Sequence, residues 1–223
     1  MFRFLYWILS PALRLALFLL GPVHVFGLEN VPKSGPVLLA ANHTSYLDPL
    51  VVGFRCPRYV HFLGTRDVFD RFLIGFLARC MGGFPVDKAG MENTPNRVSV
   101  RFLRYNEAVL IFPEGKRTRG IMATADSSIA QIALKAGVPV HPVLITGTHR
   151  SFSRDHPWFG HGKITVTFGK PIEIAAANDP ISLAHEAQRV MNAIEALRAE
   201  TPGAPPPLRN RDLPVHKHRK RSR

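Results

Sequence analysis

His43 and Asp48 are the two residues of this chain whose types and spacing could move a proton. They belong to Asn42-His43-Thr44-Ser45-Tyr46-Leu47-Asp48, which follows the apolar run Val37-Leu38-Leu39-Ala40-Ala41. That run reads as a short buried strand. An imidazole has an unperturbed pKa of about 6.5, so near neutral pH it can take up a proton and return it. A carboxylate that accepts the ring's other N–H fixes the tautomer and steadies the charged form. Such a pair can act as general base toward an alcohol. Taken alone, the spacing also suits a hydrogen-bonded core histidine beside an aspartate that caps a helix. Ser45 lies close by, but no Gly-x-Ser-x-Gly elbow occurs in the chain. Cys56 and Cys80 have no motif around them, and two cysteines build no disulfide framework.

A second segment, Phe112-Pro113-Glu114-Gly115-Lys116-Arg117-Thr118-Arg119, follows the apolar strand Ala108-Val109-Leu110-Ile111. Its glycine lets backbone approach a ligand, and its cations can hold a phosphate. Glu114 could orient one of them or bind an acceptor hydroxyl. It is not a nucleotide-binding loop, because Arg117 follows Gly115-Lys116 and Leu110 stands where the leading glycine belongs. Two weaker segments complete the set. Gly82-Gly83-Phe84-Pro85-Val86-Asp87-Lys88 is a glycine turn leading to a cation, and Val138-Pro139-Val140-His141-Pro142-Val143 is a strand with two prolines. Prolines there suggest an edge strand, a bulge or a turn.

The elements that must position these residues alternate. Strand-like runs recur at Val23–Gly27, Val37–Ala41, Tyr59–Leu63, Phe84–Val86, Ala108–Phe112, Val138–Ile145 and Lys163–Phe168, with helical patterns between them. Thr94-Pro95 opens a helix expected to run to Asn106, with Val98, Phe102 and Tyr105 on its apolar face and Arg97, Arg101 and Arg104 on a solvated one. Asp179-Pro180 opens another, which is expected to bury Leu183, Ala187, Val190, Ile194 and Leu197. The pattern predicts an α/β domain over 23–200, with a central, mainly parallel or mixed sheet flanked by helices.

Both ends differ from this body. Residues 1–22 hold sixteen apolar residues interrupted by Arg3, Pro11 and Arg14. That is barely enough to span a bilayer, and Arg14 would be costly inside it. The segment lacks an Ala-x-Ala cleavage site, so it reads as membrane-associating helix lying in or dipping into the bilayer. A core helix is the other reading. Residues 201–223 begin Pro-rich and end basic, which predicts a disordered tail. Net charge is +13; 208–223 holds seven basic residues against one acid, so the rest keeps +7. A body this basic points to an anionic partner such as a membrane surface, a phosphorylated substrate or nucleic acid.

The order of the four segments resembles the glycerophospholipid acyltransferase family, in particular its 1-acylglycerol-3-phosphate (lysophosphatidic acid) branch, over roughly residues 23–170. The resemblance implies that His43 deprotonates the acceptor hydroxyl and Asp48 orients it. Glu114, Gly115, Lys116 and Arg117 would form the acceptor's phosphate site with Lys88. Asn42, Ser45, Val138, Pro139 and Pro142 would shape the substrate and acyl site. It further implies an acyl-CoA or acyl-carrier-protein donor, no covalent acyl-enzyme and no cofactor or metal. The product would be phosphatidic acid, made at the cytoplasmic face of the cell membrane. Lys88 stands where that family usually has arginine, and Lys116 where threonine is common. Ala125-Asp126-Ser127-Ser128 stands where the family has Phe-Lys-x-Gly, which leaves the acceptor lipid open: another lysolipid or glycerol 3-phosphate are alternatives.

Readings from other classes fit less well. A basic protein that binds anionic lipid or nucleic acid without catalysis would explain the charge. No zinc-finger spacing or aromatic-plus-basic RNA motif accompanies it, so no nucleic acid is expected. A metal hydrolase built on His43, His141, His149, His156 or His161 would need compact ligand spacing that these positions lack.

Overall fold

The computed structural model describes residues 22–70, 72–86, 94–118, 122–150 and 162–207, with positions 4, 6, 8 and 11. Among them the strands are β1 (Val23–Phe26), β2 (Val37–Ala41), β3 (Val60–Thr65), β4 (Gly83–Val86), β5 (Ala108–Ile111), β6 (Val140–Thr146) and β7 (Ile164–Phe168). The helices are α1 (Asp48–Arg55), α2 (Arg66–Phe69), α3 (Phe72–Cys80), α4 (Thr94–Arg104), α5 (Ser128–Ala136) and α6 (Pro180–Glu200). The strands form one sheet in the order β1-β7-β6-β2-β5-β3-β4. From β6 to β4 every pairing is parallel. β7 runs antiparallel to β6, and β1 lies parallel to β7. The expected α/β architecture is the one observed, and the sheet is mixed with a parallel majority.

Both faces of the sheet are covered, which is why β2 and β5 read as continuous apolar runs; every residue of β6 and of the alternating β7 is buried as well. On one face, Leu39, Leu110, Val143 and Val166 pack with Val51, Val52 and Phe54 of α1, Phe69 of α2 and Ala78 of α3. On the other, Leu38, Val109 and Leu144 pack with Val100 and Leu103 of α4, Ile129 and Ile132 of α5, and Val190, Met191 and Ile194 of α6. Asp179 caps α6 by accepting from the Ile181 and Ser182 N–H groups, with Pro180 in the first turn. Leu183 is only half-buried, and Met191 takes the core place expected for it.

The connections place a crevice. β2 leaves through α1 on one face toward β3, and β5 leaves through α5 on the opposite face toward β6. Adjacent strands whose exits diverge in this way open a cleft at their carboxyl ends, where α/β proteins bind ligands. The parallel register pairs Ala40 with Ile111, so the segments after β2 and β5 emerge side by side.

Three expectations are corrected. β6 is interior, not an edge strand, despite its prolines. Pro139 precedes it, and Pro142 sits opposite Gly169 at the end of β7, where its carbonyl accepts from Gly169 N–H at 2.8 Å and its missing N–H costs only the terminal reciprocal bond. In α4 Val100 and Leu103 are buried in the core and Phe102 packs partly buried against it, whereas Tyr105, expected on the same face as Phe102, is exposed. That helix ends at Arg104, before Asn106 turns into the left-handed region at φ 61°.

Most of segment 1–22 lies outside the described residues, as do 208–223 and Lys88. Phe4, Tyr6, Ile8 and Pro11 are helical. Tyr6 is buried, donates to the Gly53 carbonyl at 3.2 Å and packs edge-on against Tyr59. Phe4 and Ile8 are exposed. Among the described residues no helix is long and apolar enough to cross a membrane. Cys56 and Cys80 are free and buried, and burial pushes the Cys56 thiol up to about 11.

Candidate active site

The chain after β2 turns back on itself before α1 begins, and one carboxylate organises that turn. Asp48 opens α1, where the helix dipole favours a negative charge. Its Oδ2 accepts from the backbone N–H groups of Thr44 (2.7 Å) and Ser45 (2.8 Å) and from His43 Nδ1 (2.9 Å). Asp48 is fully buried, and the His43 side chain is 15% exposed at the crevice. With Nδ1 committed to the carboxylate, Nε2 is the ring atom left to accept a proton from an incoming group.

The histidine is held from every other side as well. Its backbone N–H donates to Glu114 Oε2 at 3.0 Å, and its carbonyl accepts from Thr118 N–H (2.8 Å) and Thr118 Oγ1 (3.2 Å). Phe112 stacks on the imidazole with ring centroids 4.1 Å apart. Asn42 lashes the end of β2 to β6, donating to the Ile145 carbonyl and accepting from its N–H. Thr44 and Thr148 share a hydroxyl hydrogen bond at 3.0 Å. Ser45 is buried, and its Oγ accepts from Leu47 N–H.

Glu114 is buried between the two segments. Burial raises its pKa to about 7; the Asp48 charge adds to this, while bonds from His43, Ala123 and Thr118 pull it back. Its carboxylate therefore clamps backbone, and it does not reach outward to an acceptor's phosphate. Gly115 sits at φ 63°, a left-handed turn residue whose N–H returns to the Phe112 carbonyl. Beyond it Lys116 is exposed. Arg117 lies over the Tyr46 ring at 3.6 Å and donates to its hydroxyl at 2.9 Å, so this cation is carried to the rim of the His43 turn.

The structure thus brings together His43, Asp48, Asn42, Ser45, Glu114, Gly115, Lys116 and Arg117. It sets Val138 and Pro139 apart. Leu38 pairs with Val140, so those two lie at the amino edge of the sheet, while His43 is at the carboxyl edge. Register thus separates them from His43 by the length of the strand. Pro142 is level with Ala40 within the sheet, short of the crevice. Phe112, Thr118 and Tyr46 were not singled out in sequence; only the pairing of β2 with β5 shows that they face His43. Of the alternative metal ligands, His156 and His161 lie outside the described residues, and His141 is buried inside β6. No group of three or more His, Cys, Asp or Glu among the described residues could hold a metal ion.

A His–Asp pair at the carboxyl edge of an α/β sheet, next to a cationic turn, has the groups for proton transfer beside an anion. The match to known proteins is consistent with that chemistry: residues 22–146 match the Acyltransferase family model, and the chain belongs to that family. It is an acyltransferase, similar to proteins named 1-acyl-sn-glycerol-3-phosphate acyltransferase. The one from Bacillus subtilis is 26% identical over 172 residues, 77% of this chain and 84% of that protein. The one from Streptococcus pneumoniae is 25% identical over 190 residues, 81% of this chain and 68% of that protein. The crystal structure of the lysophosphatidic acid acyltransferase PlsC from Thermotoga maritima superposes with a TM-score of 0.65 at 25% identity, over 80% of this chain and 73% of that one.

Proposed function

We propose that the enzyme moves a fatty acyl chain from an acyl thioester to the free hydroxyl of 1-acylglycerol 3-phosphate, giving phosphatidic acid, with acyl-CoA or acyl-carrier protein as donor. The observation that carries this is the 2.9 Å His43–Asp48 pair, opened to the crevice and flanked by Lys116 and Arg117. Nε2 of His43 takes the hydroxyl proton as the acceptor oxygen attacks the thioester carbonyl. The new C–O bond forms, the C–S bond breaks, and the imidazolium returns the proton to the departing thiolate. Asp48 stabilises the transient charge on the ring, as a buried acceptor of its N–H. A thioester is already activated, so no acyl-enzyme is required. Lys116 and Arg117, with Lys88, supply positive charge for the acceptor's phosphate.

The site belongs at a lipid surface, because a lysolipid acceptor resides there. Phe72 and Phe76 of α3 are exposed, as are Phe4 and Ile8, and all are carried on the α1–α3 side of the sheet. Exposed aromatics of this kind suit a bilayer interface rather than water. The basic tail adds attraction to anionic head groups, about 1 kcal/mol per cation near the surface.

The test is purified enzyme given oleoyl-CoA and lysophosphatidic acid, with other lysolipids and glycerol 3-phosphate as competing acceptors. Thiol release and phosphatidic acid formation by wild type, lost in His43→Ala, is the expected result. Equal release by both proteins on every acceptor ends the reading. Faster turnover of another acceptor reassigns the substrate and leaves the chemistry in place.

A further inference from the structure

On the side of the sheet opposite Phe72 and Phe76, α4 and α5 enclose an open groove of about 840 Å³, with exposed Tyr105 in its lining, that the catalytic crevice does not use. It is lined by Arg97, Arg101, Arg104 and Lys135, with Val98 and Val100 as its floor. Among the described residues no carboxylate lines it, and none of the four cations forms an ion pair with one. Arg101 packs against the Tyr105 ring, and Arg104 donates to the Lys135 carbonyl at 3.4 Å. The walls are fixed to each other by buried Asn96, which donates to Gln131 Oε1 at 3.0 Å. Four exposed cations held close together repel one another, so their placement costs stability unless something anionic relieves it.

The spacing says what that could be. Arg97, Arg101 and Arg104 recur at i, i+4 and i+7, one face of a helix, over about 10 Å of axis at 1.5 Å per residue. They form a row and do not converge on one point, as a single phosphate would need. A row of cations at helical repeat matches a row of carboxylates at the same repeat on a partner's helix. The groove also has a direction. α4 follows the carboxyl end of β4, so its Arg97 end lies toward the catalytic edge and its Arg104 end away from it. It lies on the sheet face opposite Phe72 and Phe76, the residues that the reading above sets against the bilayer. The chain's own tail cannot fill it, since 208–223 is itself strongly basic.

We propose that the α4–α5 groove docks an acidic protein through a carboxylate-lined helix, and that this partner is the protein-borne form of the thioester donor, an acidic acyl carrier. The assignment rests on the acyl-transfer reading above and selects between its two donors. Docked there, the carrier would sit beside the catalytic edge with its flexible thioester arm free to reach His43.

The experiment compares wild type with Arg97→Glu/Arg101→Glu/Arg104→Glu, using the same acyl group on acyl carrier protein and on CoA. The expected result is a fall of about tenfold or more in kcat/KM with the carrier donor and less than about twofold with CoA. The wild-type carrier rate should drop with added salt, and the variant's should not. A milder triple Arg→Gln variant, checked by thermal melting, should fall between the two. An equal loss with both donors, or no loss with either, overturns the proposal. So does a variant that loses binding to phosphatidylglycerol vesicles or to RNA while keeping its carrier rate. Fluorescence titration of labelled carrier against each protein reads docking without catalysis. If wild type transfers acyl groups from neither donor, the reaction proposed above fails, and the titration alone decides the groove: charge-dependent carrier binding supports it, and no binding overturns it.

Discussion

Two cationic regions of this enzyme face opposite physical demands. At the carboxyl edge nearly every polar atom around His43 has a partner: Asp48 on the ring, Glu114 on its N–H, Thr118 on its carbonyl, and Tyr46 beneath Arg117. In the α4–α5 groove the cations stand without carboxylate partners over an apolar floor. A general base must be held in one geometry before substrate arrives, since positioning removes entropy from the barrier. A docking surface must keep its charge unspent until the partner supplies the counterion. Arg117 and Arg101 show the difference between them, although both stack on a tyrosine. Arg117 also donates to its ring's hydroxyl and so ties two site segments together, while Arg101 only rests 5.8 Å from a ring at the end of its own helix.

That contrast can be broken in order of effect. His43→Ala should lower kcat by about 10²–10⁴-fold while leaving the melting temperature nearly unchanged, because a general base contributes on that scale. Measured against both donors, the loss should be equal. Asp48→Asn should come next. It keeps the shape but removes the charge, and its Oδ2 position serves three donors, so activity and stability should fall together. A variant with full stability and full kcat would show that the pair does not do the chemistry. Asn42→Ala removes both side-chain bonds to Ile145 and leaves its N–H and carbonyl unpaired in the core. Denaturant unfolding should show a loss of about 2–6 kcal/mol, at about 1–3 kcal/mol for each of the two buried groups left unsatisfied.

Glu114 gives a prediction in pH rather than in rate. Its folded pKa, about 7, lies above the ordinary carboxylate value of 4.5. The native state therefore binds the proton more tightly than the unfolded chain does. The stability this contributes is complete below the unfolded value and is lost as pH rises through the folded one. Unfolding free energy should decline between about pH 4.5 and 7 for wild type and less steeply for Glu114→Gln. An identical slope would mean that the clamp is not titrating. The smallest effect belongs to the other region: Arg101→Gln should shift stability by no more than about 0.5 kcal/mol, as expected of an exposed side chain.

Much of the frame was legible in the sequence. The apolar runs at β2, β5, β6 and β7, and the Asp179-Pro180 start of α6, stand where period and capping put them. Those signals are local, since burial on both faces makes a strand uniformly apolar and a cap needs only its own turn. Errors arose where a residue's environment comes from another part of the chain. Prolines in β6 read as an edge, a bulge or a turn because sequence does not show that Pro142 falls at the last pairing with the β7 segment, where only a terminal bond is lost. Tyr105 shares a helical face with Val98 and Phe102, and only the packing on the sheet shows that Phe102 is covered while Tyr105 is not. Val138 and Pro139 read as site residues because proximity in a motif does not reveal which end of a strand it marks.

For the site, the one-dimensional chain determined the chemistry available: an imidazole with an acid five residues on, and a cationic glycine turn after a second strand. Those groups are covalently fixed in order, and their proton and charge properties belong to the side chains themselves. Only the tertiary structure decided that the two segments meet, by setting β5 beside β2 so that Glu114 and Thr118 grip His43 from a distance of more than seventy residues. It alone decided that one set of arginines stands, among the described residues, without carboxylate partners on the far side of the sheet. Contacts between remote segments depend on strand order and register, and those are settled by the packing of the whole core, not by any stretch of it.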